Sequence, residues 1–337
     1  MSTELSSEIR KTRLTFNPII VATGRGKRPD QFQKKGELPR CPFCPGNESD
    51  TPPPEIYRID DRSGNWKIRV VPNKFPTFKI EGTTTSFHNS SDDINSAIPN
   101  AHGAHEVVIE SPVHKTDYSE FSSENFEQTL DVTNKRVLDL YGDRNILYIQ
   151  VFKNFGDEAG ASLRHEHSQI IGLPIIPLKL RNRLAGTEDY LIDNGRSVFN
   201  VLLDRSRSED RIVCENENFI CLVPYEAKFP CEMWILPKKQ VANFCSSETH
   251  FGEFAQILCI TFRKLKTVFG FMPPFNAFID EAPPRSYRNC DAFFSWRYRI
   301  MPRVTKIAGF ELATAYYVNP TPPEESAKFL REASFII

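Results

Sequence analysis

The sequence predicts an α+β protein of two tandem units, antiparallel sheets with flanking helices, divided as residues 1–177 and 178–337. Three observations carry this expectation. At 337 residues the chain has the length of about two ordinary domains. Its first half holds apolar, β-branched runs at 66–72, 104–111, 146–152 and 170–176, with one helical period among them at 122–141. The second half repeats that plan, with runs at 219–223, 233–236, 276–279 and 293–301 around a helical stretch at 249–268.

Composition narrows the function classes. Apolar content of 40% and charged content of 25% describe a globular chain with ample core. A net charge of −1 gives no case for nucleic acid or an anionic membrane as partner. The first eleven residues are polar and lack an apolar signal core, and no stretch approaches the ~18 apolar residues of a membrane span. Eight cysteines are present, but Cys214, Cys221, Cys231, Cys245, Cys259 and Cys290 are scattered singly through apolar segments. Free thiols in a reducing compartment explain them better than disulfides, so the cytoplasm is the expected address.

Taken in order, 12–22 reads as a strand pair broken at Asn17-Pro18. The loop Gly24-Arg25-Gly26-Lys27-Arg28-Pro29 sets three cations between glycines and a proline, which is either a solvated basic loop or a phosphate contact. Cys41-Pro42-Phe43-Cys44 is a redox pair or half of a metal site; Pro42 and Pro45-Gly46 favour a knuckle turn over a thioredoxin-type helix start. After the strand at 66–72 comes the turn Asn73-Lys74-Phe75-Pro76. Residues 83–100, rich in Ser, Thr and Asn, read as a flexible loop, and His88, His102 and His105 on or beside it are expected to be solvated. The helix at 122–141 turns Phe126, Leu130, Val132, Val137 and Leu140 toward the core. Residues 178–193 show no clear period and read as a bridge between halves; a last helix opens at Pro322-Pro323-Glu324-Glu325.

The stretch from Asn154 to Gln169 concentrates the chemistry. It reads as strand, glycine-containing turn, strand, which would place Leu163, His165, His167, Gln169 and Ile171 on one face. Gly156, Gly160 and Ser162 lie in a turn whose backbone amides can approach an anion. Two imidazoles and a carboxamide on a rigid element beside such a turn suit phosphate chemistry with a histidine nucleophile.

The pattern Asn-x-Gly-x-x-x-Gly-x-Ser-x-x-His-x-His-x-Gln resembles the active-site segment of the galactose-1-phosphate uridylyltransferase family, a branch of the histidine-triad superfamily that includes the ADP-glucose phosphorylases. The resemblance runs from about Arg13 to about Glu332 and implies two tandem histidine-triad-like units. It also implies that His167 is the nucleophile and that His165, with Cys41, Cys44 and His114, holds a structural zinc. Glu166 stands where the family usually has proline. Arg25 and Arg28 become candidates for substrate phosphates, Asn73 and Asn154 for base, ribose or phosphate contacts, and Phe43 and Phe75 for apolar walls. Lys306, Glu311 and Tyr317 match the segment that holds the sugar, and Tyr317 agrees with the ADP-glucose phosphorylase branch. Many relatives carry a second metal site; the matching positions here, Ser197, Asn200, Ser295 and Arg297, are not a zinc ligand set, so its loss is expected. A homodimer with shared active sites is implied as well.

The implied reaction is a ping-pong nucleotidyl transfer. The His167 imidazole attacks the α-phosphorus of a nucleotide sugar, sugar 1-phosphate leaves, and an acceptor phosphate takes the nucleotidyl group. Gln169 and Ser162 stabilise charge on the phosphorus. The leading expectation is transfer to a hexose 1-phosphate, as in uridylyltransferases. The alternatives are an ADP-sugar phosphorylase using inorganic phosphate, and a non-catalytic nucleotide-sugar binding protein.

Overall fold

Ten strands, five from each half of the chain, join in one antiparallel sheet, and this continuity fixes where the candidate site lies. The computed structural model describes residues 7–12, 18–27, 40–84, 95–114, 117–246, 249–285 and 287–335. The first half supplies β1 (Ser7–Thr12), β2 (Ile19–Ala22), β3 (Tyr57–Asp60), β4 (Trp66–Pro72), β5 (Asn95–Ile98), β6 (Ala104–Ile109), α1 (Ser123–Leu140), β7 (Tyr148–Phe155) and β8 (His167–Leu173). The second supplies α2 (Leu178–Asn194), α3 (Val198–Ser208), β9 (Ile212–Glu215), β10 (Phe219–Leu222), β11 (Met233–Pro237), α4 (Phe251–Phe269), β12 (Phe275–Asp280), β13 (Arg297–Pro302), α5 (Gly309–Thr314) and α6 (Pro323–Glu332). The sheet order is β3-β4-β6-β8-β7-β12-β13-β11-β10-β9, and a separate sheet runs β2-β1-β5. The halves meet where β7 pairs β12, Phe152 facing Phe278 and Asn154 facing Asn276.

Side-chain alternation divides the large sheet into two faces with different covers. One face packs on α1 and α4, where Phe126, Leu130 and Val137 meet Phe254, Leu258 and Phe262 over Val108, Val151, Ile170 and Ala277. A run of aromatic edges, Tyr118 against Phe126 and Phe262, closes that core at centroid distances of 5.0 and 4.9 Å. Ser122 starts α1 with a reciprocal cap to Asn125. Over the second half, the opposite face is covered by α2 and α3, whose Leu180, Leu184, Phe199 and Leu203 pack on Tyr148, Trp234 and Leu236. Over the first half, it faces the loops around 41–52 and 73–76, and the candidate site is there.

Three sequence expectations are corrected. Residues 178–193 are helix α2, with Leu180, Leu184 and Thr187 inward; charged residues between them blur the period, and α3 was not foreseen at all. The stretch 83–100 contains β5, which pairs with β1, while its residues 85–94 and His88 lie outside the described residues. The expected strand pair at 12–22 starts earlier, as β1 at Ser7, and pairs Ile9 with Ile20; residues 13–17 lie outside the description. Among the described residues no helix is long and apolar enough to cross a membrane.

Candidate active site

The head of β8 sends three consecutive side chains to three environments. His167 and Gln169 project into a cavity walled by Phe43, Phe75, Asn73 and Ser162. The strand begins at His167, so His165 does not share its face as the sequence suggested; its ring turns to the cysteines of the 41–44 knuckle instead. Leu163 also precedes the strand, packing beside Cys41 and Phe43 at the cavity wall. Glu166 points to the sheet's other side.

His167 is held as a neutral imidazole. Its Nδ1–H donates to the His165 carbonyl at 2.7 Å, which fixes the tautomer and leaves the Nε2 lone pair free of that bond. Burial pushes its pKa down to about 4, with the Lys153 ammonium reinforcing the shift, so the ring carries no proton on that lone pair near neutral pH. The Phe43 ring meets the imidazole edge-on at 5.3 Å and limits its rotation.

Gln169 is oriented by residues far away in sequence. The Thr77 N–H donates to His105 Nδ1 at 3.0 Å, so His105 carries its proton on Nε2 and donates to Gln169 Oε1 at 2.9 Å. The amide of Asn73 reaches the same oxygen at 3.5 Å, and its own Oδ1 accepts from the Phe75 N–H. With the carbonyl end of Gln169 held this way, its NH₂ end is the donor offered to a ligand. His105 was expected in solvent; it is buried, because residue 105 falls on an inward position of β6. His102 is buried too, paired with Asp143 at 2.6 Å, away from the cavity.

Beneath the strand lies a buried charge network. Lys153 Nζ sits 2.8 Å from Glu110 and 2.5 Å from Glu166, and donates to the His167 carbonyl at 3.3 Å. The Tyr118 and Ser168 hydroxyls donate to Glu110, and Lys153 lies 4.2 Å from the centre of the Tyr118 ring. Burial works against the lysine's charge, but the two carboxylates outweigh it and its pKa rises. Burial lifts Glu166 to about 7 even with Lys153 pulling it down. Nothing in the local sequence of Lys153, which follows Gln150 and precedes Asn154 on β7, signals this network.

Cys41, Cys44, His114 and His165 converge, their ligand atoms all within 4.8 Å of one another. His165 Nδ1 lies 3.7 and 3.6 Å from the two sulfurs, and His114 Nδ1 lies 3.3 Å from Cys44 Sγ. A tetrahedral ion with ordinary metal–sulfur and metal–nitrogen bonds has ligand–ligand edges of about 3.4–3.8 Å. His165 Nε2–H donates to the Ser111 carbonyl at 2.6 Å, leaving the Nδ1 lone pair toward the sulfurs. Burial pushes the Cys41 thiol up to about 11, so the sulfurs lack a positive partner unless a cation supplies it. The group is built to hold a metal ion.

The remaining candidates divide. Arg25 reaches the cavity rim, its Nη1–H donating to the Phe75 carbonyl at 2.9 Å; Arg28 lies outside the described residues. Asn154 accepts from Asn276 at 2.8 Å, and Asn276 also donates to the Ala159 carbonyl, tying the turn before Ser162 to β12. That turn uses Gly156 at φ 82°, where a Cβ would lie 2.8 Å from Pro274 Cβ. Lys306, Glu311 and Tyr317 do not line this cavity. Glu311 caps its own helix α5, held below the usual carboxylate range by its own N–H and that of Ala308. Tyr317 lies under the Lys228 ammonium at 4.2 Å. Of the second-half positions, Ser197 caps α3, Asn200 is exposed on it, Ser295 is buried, and Arg297 pairs with Asp280.

Fold and site together define a nucleotidyltransferase-type enzyme. Residues 74–332 match the family described as "Domain of unknown function (DUF4921)". ADP-glucose phosphorylase of Arabidopsis thaliana is 32% identical over 336 residues, covering 98% of this chain and 93% of that protein. Galactose-1-phosphate uridylyltransferase of Thermotoga maritima is 27% identical, covering 96% of this chain and 98% of its own. The crystal structure of the Arabidopsis ADP-glucose phosphorylase with bound ADP-glucose superposes with a TM-score of 0.77 over 98% of this chain and all of that one, at 32% identity. The chain belongs to the galactose-1-phosphate uridylyltransferase-like family.

The buried network generates a stability prediction. Lys153→Met leaves Glu110 and Glu166 without their cation and is expected to destabilise the fold by ~3–5 kcal/mol in urea unfolding. Adding Glu110→Gln and Glu166→Gln should recover much of that loss. Unchanged unfolding in the single variant would show that the network carries no such role.

Proposed function

We propose that the chain transfers a nucleoside monophosphate from a nucleotide sugar through a covalent intermediate on His167, most closely as an ADP-sugar phosphorylase. The observation that carries this is the buried, neutral His167 with its Nδ1–H fixed on a carbonyl, beside the amide end of Gln169 in one cavity. The Nε2 lone pair attacks the α-phosphorus, an N–P bond forms, the P–O bond to the sugar phosphate breaks, and sugar 1-phosphate departs. The proton stays on Nδ1, donated to the His165 carbonyl, throughout. An oxygen of inorganic phosphate then attacks the same phosphorus and frees the imidazole. The Gln169 NH₂ and the amides of the Gly156–Gly160 turn, with Ser162, meet the charge on the nonbridging oxygens. Arg25 is placed to reach a more distal phosphate.

Support for the adenylyl reading is the 32% identity to an ADP-glucose phosphorylase across nearly the whole chain, together with Tyr317. The uridylyl reading, with hexose 1-phosphate as acceptor, keeps the same chemistry and is supported by the 27% identity to a uridylyltransferase.

Zinc is the metal proposed for the Cys₂His₂ set, because two thiolates and two imidazoles form the closed tetrahedral coordination of a structural site. Cys41, Cys44, His114 and His165 would hold it and tie the knuckle to the head of β8. Metal analysis should find one tightly held zinc per chain, and Cys41→Ser should lose both the ion and much of the fold's stability, since small structural zinc sites contribute apparent energies of ~10–16 kcal/mol. Two tightly held ions per chain would overturn this assignment.

A homodimer with shared sites is proposed from the sugar segment. Glu311 and Tyr317 lie away from the chain's own cavity, on a segment that exposes Phe310, Leu312 and Tyr316. Mixing inactive His167→Ala chains with inactive Glu311→Ala chains should restore some activity. Sedimentation of the wild type as a monomer would count against the arrangement.

The covalent step is tested by incubation with an ADP- or UDP-sugar labelled in the α-phosphate, without acceptor. The chain should retain a label that survives base and is lost in acid, as a phosphoramidate is. His167→Gly should take none while remaining folded, and Gln169→Ala should turn the label over ~10²–10³ more slowly. Tight binding of a nucleotide sugar by a wild type that never becomes labelled would defeat the mechanism.

A further inference from the structure

The face of the sheet that carries His167 continues across the junction of the halves and ends in a dense group of cations. Gln169 faces Phe152, Phe152 faces Phe278, and Phe278 faces Arg299, so these four side chains form one row across β8, β7, β12 and β13. Three strand spacings place Arg299 about 14 Å from Gln169 on the same face.

Around Arg299 the charges do not balance. Arg183, Arg297 and Arg299 all approach Asp280 Oδ2, at 2.9, 3.3 and 3.5 Å, and Arg299 Nη2 also reaches Glu232 at 2.9 Å. Lys179 stands four residues before Arg183, one turn away on the same side of α2, and Lys228, on the loop before β11, donates its backbone N–H to Glu232 at 2.8 Å. Five cations therefore share Asp280 and Glu232, with exposed Glu226 as the next acid at the rim. Arg297, Arg299, Asp280 and Glu232 are each more than nine-tenths buried, so the surplus is poorly screened by water.

Three further observations show that the protein does not neutralise this surplus internally. The buried Nε–H of Arg299 has no acceptor. No ion pair is formed by Lys179 or Lys228 among the described residues; Lys228 only lies over the Tyr317 ring. The first turn of α2 has no acid and no side-chain cap, so its positive end adds to the field where Lys179 and Arg183 stand. Burial and the neighbouring cations lower the pKa of both lysines, while Asp280, which burial would raise, is held at about 2 by its three arginines. A buried excess of positive charge is expensive unless an anion completes it.

We infer that Lys179, Arg183, Lys228 and Arg299, at the N-terminal end of α2, form a second anion site that takes a phosphoryl group, free or on a small monoester, apart from the nucleophile. Guanidinium forks and a helix N-terminus suit tetrahedral oxyanions. The site lies on the same face as the catalytic cavity, with Phe152 and Phe278 between them.

Calorimetric titration of the full chain at constant ionic strength tests this, with inorganic phosphate in one arm and glycerol phosphate in the other. The His167→Gly chain should bind a phosphoryl probe, and the arm that binds more tightly identifies the free anion or the monoester as the better ligand. The Lys179→Ala/Lys228→Ala chain, whose changes lie at the edge and break no ion pair, should lose one bound phosphate per chain or weaken it about tenfold or more. Arg183→Gln is the independent second variant and should weaken the same binding. Equal binding by the double-lysine variant and wild type, or phosphate binding that vanishes in His167→Gly alone, would overturn the assignment.

Discussion

Lys153 holds two buried carboxylates and the carbonyl of His167 from the strand beside β8, and the geometry of the site depends on that contact. A one-residue slip of β8 against β7 would exchange every side chain between the faces. Hydrophobic patterning resists such a slip weakly here, because Ile170 and Ile171, on opposite faces, are both apolar. The ion network resists it strongly, since a slip would carry Glu166 and Ser168 to the cavity side, taking one carboxylate from Lys153 and one hydroxyl from Glu110 in the core. Register set from beneath leaves the upper face free for chemistry. It also explains how glutamate at position 166 is accommodated: its charge is used in the network below, and the cavity face does not see it.

The same alternation separates the Cys₂His₂ cluster from His167. His165 lies before the strand proper, where its ring can turn toward the 41–44 knuckle, while its carbonyl still receives the Nδ1–H of His167. One residue thus contributes a side chain to the ligand cluster and a backbone oxygen to the tautomer of the nucleophile. Loosening of the cluster would move that carbonyl, and the imidazole with it.

What the sequence made legible was local. The turn and His-x-His-x-Gln segment, the Cys-x-x-Cys knuckle, and the long amphipathic helices α1 and α4 each declare themselves within a few residues. His114 entered through resemblance, and the structure brings it to the cysteines. The parts that stayed hidden depend on long-range pairing. Gln169 is oriented by His105 and Asn73, 64 and 96 residues away, and nothing in the local pattern of residue 105 separates a buried hydrogen-bonded histidine from a solvated one. Lys153, Glu110 and Tyr118 are ordinary residues until the sheet stacks them. Helix α2 was missed for a different reason: its inward leucines are spaced as a helix requires, but the cations that interrupt them belong to the other half's polar face.

Those cations show how the two halves have come to use one surface differently. In the first half, the cavity-side positions on β8 carry His167 and Gln169, both uncharged. In the second half, the row that continues from Gln169 ends in Arg299, and the next row on that face carries Asp280 and Arg297. Were the guanidinium groups at the positions of His167's neighbours, they would hold a phosphate but also deepen the cost of any positive charge that develops on the imidazole during attack. Separation by the Phe152 and Phe278 strands keeps the anion-attracting field on the same face without setting it against the nucleophile. With a net charge of −1 over the whole chain, the positive potential is therefore a property of placement, concentrated where anionic ligands approach and balanced by acids elsewhere on the molecule.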